Sequence, residues 1–162
     1  MTSFDPKSHE RPWIVAEMSC NHGGSLDLAL KSIEAIARTG ADAVKFQTVT
    51  PDEITLDCDS PWFRFEKGNP WSYETMYELE VATCMPREWY GPLIEKVESL
   101  GLEWFSSPFD EGSVDFLETL GCPRYKIASQ EITHSPLIKK CAALGKPIIV
   151  STGVATKSDI LR

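Results

Sequence analysis

Apolar positions along this chain switch between two periods. Short runs rich in small and branched apolar residues recur at about 13–18, 42–47, 102–106, 124–128 and 148–150, and each reads as a strand. Between them apolar residues fall at helical spacing: Leu26, Leu30, Ile33 and Ala37; Trp89, Leu93, Val97 and Leu100; Val114, Leu117 and Leu120; Ile138, Cys141 and Ala142. The punctuation agrees with this division. Ser25 and Asp110 suit helix N-caps, and Pro86 and Ser135-Pro136 suit helix openings. Gly40, Gly101, Gly121 and Gly145 follow the last apolar residue of each helix, where a left-handed backbone is needed. Thr156 is placed to cap a final helix. The first β-α-β unit is complete by residue 47, which predicts parallel pairing with a right-handed crossover.

One stretch breaks the rhythm. Residues 48–85 carry Trp62, Phe63, Phe65, Trp71, Tyr73 and Tyr77 among three prolines, and read as an aromatic-rich insertion or lid with a short helix near 72–82. Residues 1–12 read as an irregular arm. The alternation predicts an α/β fold with a parallel sheet, for which two architectures compete. A flavodoxin-like sheet would be complete with five strands. A (β/α)8 TIM barrel usually needs about 250 residues, so this chain would hold its first five βα units and be incomplete. A glycine-rich nucleotide loop is absent, and nearly every strand ends in a polar side chain, as at the C-terminal face of barrels.

Composition narrows the function. A chain of 162 residues with 42% apolar content can bury a single core. The net charge of −8 argues against a general nucleic-acid binder, yet a local pair of lysines could still hold a small anion. There is no apolar run of membrane-spanning length and no secretory pattern at the N-terminus. The five cysteines (20, 58, 84, 122 and 141) include no Cys-x-x-Cys pair, which fits free thiols in a reducing cytoplasm better than a zinc ribbon.

The candidate chemistry sits on the strands. Lys45 and Gln47 share one face of an otherwise apolar strand, and Lys126 lies in another. Lysine is rarely buried without a partner. The two lysines either converge on a phosphate or carboxylate, or form structural bridges with Glu17 and Glu131; both can hold at once. Desolvation inside Ile-Val-Ala-Glu-Met would raise the pKa of Glu17 and fit it for proton transfer, unless Lys45 neutralises it. Ser107, Ser129 and Ser151 are strand-end hydroxyls able to donate to phosphate oxygens or to cap helices. The three histidines, His9, His22 and His134, are scattered, so no two-histidine metal site is expected within the chain. Trp62 and Trp71 could stack on a sugar face or anchor their own loop.

Five motifs occur in order: Ile14-Val-Ala-Glu-Met-Ser-Cys-Asn-His-Gly-Gly-Ser25, Gly40-Ala-Asp-Ala-Val-Lys-Phe-Gln-Thr48, Phe105-Ser-Ser-Pro-Phe-Asp110, Tyr125-Lys-Ile-Ala-Ser-Gln-Glu131 and Gly145-Lys-Pro-Ile-Ile-Val-Ser-Thr-Gly153. Together they resemble the sialic acid synthase family, and the segment 86–89 with the Ser-Ser-Pro-Phe-Asp-Glu run is closest to its pseudaminic acid synthase branch. The resemblance implies that residues 13–162 are the N-terminal portion of a (β/α)8 synthase barrel. It implies condensation of phosphoenolpyruvate with an open-chain N-acetylated amino sugar. The enol C3 attacks the sugar aldehyde, water adds at C2, and phosphate leaves by C–O cleavage, with a divalent metal (Mn2+ or Mg2+) whose ligands lie outside this chain. By the same resemblance Lys45, Lys126, Ser107, Ser129 and Ser151 hold phosphoenolpyruvate and its intermediate. Glu17 is an acid/base or sugar-binding carboxylate, Gln47 binds the sugar, and Glu131 is expected to orient Lys126. A homo-oligomer in the cytoplasm is the expected setting. Two other functions remain open: a Schiff-base lysine aldolase, and a truncated, non-catalytic barrel fragment that binds a phospho-ligand or a partner chain.

Overall fold

The computed structural model describes residues 11–161, so nearly all of the expected N-terminal arm lies outside the described residues. Five strands, β1 (Val15–Glu17), β2 (Ala43–Thr48), β3 (Glu103–Pro108), β4 (Tyr125–Ile127) and β5 (Ile148–Val150), form one sheet in the order β1-β2-β3-β4-β5. Every neighbouring pair is parallel. That order decides between the two architectures. A flavodoxin-like sheet places its first strand inside the sheet, whereas a barrel lays its strands down sequentially. The sheet curls into five units of a barrel, with α1 (Leu26–Ala37), α4 (Tyr90–Ser99), α5 (Glu111–Thr119) and α6 (Ser135–Ala143) on its convex side.

Strand alternation sorts the side chains. Val44, Phe46 and Thr48 of β2 face the helices, as do Trp104 and Ser106 of β3; all are buried. The Phe46 ring meets Tyr90 of α4 edge-on at 5.9 Å. Ile33, Leu93, Val97, Val114, Leu117, Leu137 and Cys141 close this layer from the helices, each without exposed surface. Two expected core positions fall outside it. Leu100 is the C-cap of α4 and is 40% exposed, and Ala142 is exposed on α6. On α6 the pair at helical spacing that faces the sheet is Leu137 and Cys141. Near the N-terminal ends of the strands the concave side is filled by Trp13 stacked on Phe105 at 5.8 Å, with the Arg124 guanidinium 4.7 Å over the Trp13 ring.

Most caps stand where the sequence put them. Ser25 accepts from the Leu28 N–H and Asp110 from the Ser113 N–H. The insertion differs in detail. It holds α2 (Pro51–Ile54), a 3-10 turn at Pro61–Phe63 and α3 (Met76–Thr83). The last of these begins later than expected because Thr75 and Glu78 form a capping box. Pro86 opens a 3-10 turn, Arg87–Trp89, before α4 starts. A short helix α7 (Lys157–Ile160) follows β5, capped by Thr156.

Candidate active site

The parallel register builds the site. Glu17 lies opposite Lys45, and Gln47 opposite Ser107, so all four stand on the concave face near the C-terminal strand ends. Lys45 Nζ donates to Glu17 Oε1 at 2.7 Å. The pair is unequally wet: the Lys45 side chain is 9% exposed and that of Glu17 is 56%. Ser19 Oγ donates to the same Glu17 oxygen. Burial is the largest single influence on the Glu17 carboxyl and pushes its pKa up. Hydrogen bonds from Lys45 and Ser19, with the charges of Lys45 and Lys126, outweigh it and hold the group below its ordinary value. Of the two readings for Glu17, raised by burial or neutralised by Lys45, the structure favours the second: the carboxyl is held below its ordinary value.

Lys126 stands on β4. Its Nζ donates to the Ile127 carbonyl at 2.8 Å and to Ser151 Oγ just beyond β5. Burial lowers its pKa, and the positive charge of Lys45 lowers it further, while Glu17 and Glu131 oppose. Two lysines on separate strands thus sense each other across the concave face, the arrangement that a shared anion would relieve. The expected bridge from Lys126 to Glu131 is not formed, because Ser151 and the Ile127 carbonyl take the ammonium instead. Glu131 sits in the 3-10 turn Gln130–Thr133 with Oε2 buried and without a hydrogen-bond partner. Burial pushes its pKa up, and its own backbone N–H, His134 and Lys126 only partly offset this.

The remaining hydroxyls divide. Ser107 is buried on the concave face beside Gln47. Ser129 Oγ accepts from the Gly153 N–H at 3.2 Å. Gly153 allows that approach, since a Cβ there would meet Ser129 Oγ at 3.0 Å. The structure thus links Glu17, Lys45, Lys126 and Ser151 by bonds and charge, and sets Gln47 and Ser107 on the same face. Ser129 is tied to the loop after β5, and Glu131 reaches Lys126 only through its charge. Sequence reasoning missed Ser19. Its one signal is proximity, two residues past Glu17, and that does not foretell a side chain turned back on its neighbour. Cys20 Sγ lies 4.0 Å from Gln47 Oε1, a weak contact that makes it a neighbour of the site.

The described residues do not build a metal centre. None of their His, Cys, Asp and Glu side chains form a group of three or more that could hold an ion. His22 is buried, its Nδ1 accepting from the Gly24 N–H at 3.2 Å and its ring edge-on to Trp89 at 5.2 Å. That is a packing and turn-closing role. In the insertion Trp71 packs on Phe65 at 5.0 Å, whereas Trp62 is 92% exposed.

Comparison with known proteins extends these observations. The model of the NeuB family matches residues 32–162. The chain is 46% identical over 149 residues to a pseudaminic acid synthase of Helicobacter pylori, covering 92% of this chain and 44% of that protein. It is 39% identical over 148 residues to an N,N'-diacetyllegionaminic acid synthase of Legionella pneumophila, covering 91% of this chain and 41% of that protein. Among solved structures, the N-acetylneuraminic acid (sialic acid) synthetase of Leptospira borgpetersenii in complex with citrate matches with a TM-score of 0.76 and 30% identity. The match covers 92% of this chain and 47% of that one. The chain thus spans less than half the length of these relatives.

Proposed function

The chain belongs to the NeuB family, and from that footing we propose that it carries the phosphoenolpyruvate-binding half of a nonulosonic acid synthase, with a pseudaminic acid as the first choice of product. The supporting observation is the convergence of Lys45 and Lys126 on one concave face, with their hydroxyl and carboxylate partners ranged around them. The higher identity to the pseudaminic than to the legionaminic acid synthase supports the choice of product.

In this reading the phosphate and carboxylate of phosphoenolpyruvate sit between Lys45 and Lys126, with hydroxyls of Ser107, Ser129 and Ser151 donating to their oxygens. The enol C3 forms the new bond to the aldehyde carbon of an N-acetylated amino sugar, and the aldehyde oxygen becomes a hydroxyl. Water adds at C2, and the C2–O bond breaks as inorganic phosphate leaves. The lysines offset the charge that gathers on the departing phosphate, a term that pre-placed cations supply without reorganisation. Glu17, held ionised, accepts a hydrogen bond from the sugar or from the adding water. Gln47 contacts the sugar. The divalent ion, Mn2+ or Mg2+, takes its ligands from outside the described residues. The remaining barrel units complete the site, and they would cover the outer side of β5. There an open groove of about 440 Å³ is lined by Ile132, Ile138, Val150 and Ile160. The same family reading gives a cytoplasmic homo-oligomer as the setting. No helix among the described residues is long and apolar enough to cross a membrane.

The test is phosphate release from phosphoenolpyruvate with Mn2+ and a panel of N-acetylated amino sugars, using this chain joined to the rest of a NeuB barrel. Release with one sugar, abolished by Lys126→Ala, is expected; an unchanged rate in that variant would sink the assignment. A second reading draws on the depressed pKa of Lys126, which a Schiff-base lysine also needs. Borohydride trapping with pyruvate separates the two, because the synthase leaves no covalent lysine adduct.

A further inference from the structure

Ser19 is the one non-glycine residue with positive φ among the described residues, at 45°. A side chain at such an angle crowds its own backbone and persists only where neighbours hold it there. Here they do. The Lys45 carbonyl accepts from the Met18 N–H at 3.1 Å and from the Ser19 N–H at 3.4 Å, and the Asn21 N–H closes on the Met18 carbonyl at 2.9 Å. In an extended strand residues 17 and 19 would sit about 7 Å apart on one face. The left-handed turn ends β1 and brings the Ser19 hydroxyl onto Glu17 Oε1, the oxygen that Lys45 Nζ also holds at 2.7 Å. Among the described residues Glu17 Oε2 makes no hydrogen bond.

We propose that Ser19 is a positioning residue: its strained turn aims the hydroxyl at Glu17 Oε1, so that Ser19 and Lys45 together fix this oxygen and leave Oε2 to face substrate. The inference rests on the reading above for the place of Glu17 in the site. The strain is then a cost borne at a functional position, since a glycine would take the same turn without it but would lose the hydroxyl. Lys45 from β2 and Lys126 from β4 also act on Glu17, and Cys20 follows in the same loop. Any measured change must therefore be assigned to the hydroxyl itself.

Two variants of the 162-residue chain make that assignment. The Glu17 carboxylate is titrated by 13C NMR, its resonance identified by its loss in Glu17→Gln. In Ser19→Ala and in Ser19→Gly the midpoint is expected to rise by the same amount, because both lose the hydroxyl. Only Ser19→Gly loses the strain as well, so its urea midpoint should exceed that of Ser19→Ala. An unmoved Glu17 midpoint in both variants overturns the proposal. So does a midpoint that moves in the alanine variant and not in the glycine variant, which would assign the effect to the backbone. No substrate enters the titration, so a chain that releases no phosphate would defeat the synthase reading alone.

Discussion

Tyr90 ties the site strand to the helix layer. Its hydroxyl meets Thr48 Oγ1 at 2.6 Å and the Gln47 carbonyl at 2.9 Å, and Thr48 Oγ1 continues to Ser106 Oγ at 2.6 Å. Burial holds the Tyr90 phenol above its ordinary pKa, so it remains a hydrogen-bond donor. Tyr90→Phe strands buried partners and should cost roughly 1–3 kcal/mol in urea unfolding. His22 carries a pH dependence. Burial depresses its pKa in the folded chain, against a smaller opposing effect of the Thr83 backbone. The unfolded chain therefore takes up a proton near about pH 6.5 while the folded chain does not. Stability from this residue is complete above that pH and lost as the pH falls through it toward the folded value. His22→Asn should flatten the change in urea midpoint between about pH 8 and about pH 5.5; an equal slope in both proteins would count against it. Lys45 is legible in the sequence as a charge in an apolar strand. Its pairing with Glu17 is one of the two readings the sequence leaves open, and the register of two strands 28 positions apart in the chain decides for it.

Among elements, the insertion is held at one end by a single carboxylate. Glu53 of α2 accepts from the Thr50 N–H at 2.9 Å, from Ser113 Oγ of α5 at 2.8 Å and from Arg87 at 3.0 Å. Three elements meet there, so Glu53→Ala should loosen the insertion before it unfolds the barrel layer. Limited proteolysis checks this: cleavage within residues 55–75 should quicken several-fold, with little change at the core helices. The aromatic content of 48–85 marked this stretch as distinct. Its internal order, Arg64 bridged to Thr75 and Phe65 packed on Trp71, comes from contacts that no periodic pattern announces. The regular helices were legible because helical spacing and caps agree at each. The exceptions have local causes: Leu100 is the C-cap of α4, and Ala142 follows the buried Cys141, so it points to a different face of α6.

At the scale of the whole molecule, the sheet has two outer strands, β1 and β5, each paired on one side among the described residues. Val150 is 43% exposed and Ile160 51%, on the side where the groove opens. Apolar surface beside an unpaired strand edge invites association. The 162-residue chain by itself should therefore self-associate with rising concentration in light scattering, and Val150→Lys should reduce this by placing a charge in the groove. Equal scattering from the two proteins would locate the contact elsewhere.

The sequence by itself determined the order of strands and helices along the chain, most helix caps, the parallel α/β class and two lysines that stand out in apolar strands. These follow from local periodicity, from backbone preferences and from the rarity of lysine in apolar strands. Periodicity left the barrel and the flavodoxin-like sheet open, the motifs implied the barrel, and the strand order of the folded sheet bears that out. Tertiary structure alone decided the rest. Register set Glu17 against Lys45, Ser151 took Lys126 from Glu131, and the hydrogen bonds from Lys45 and Ser19 with the charges of the two lysines outweighed burial at Glu17. Each of these depends on which groups from distant parts of the chain come within a few ångströms, and such energies are absent until the sheet has formed.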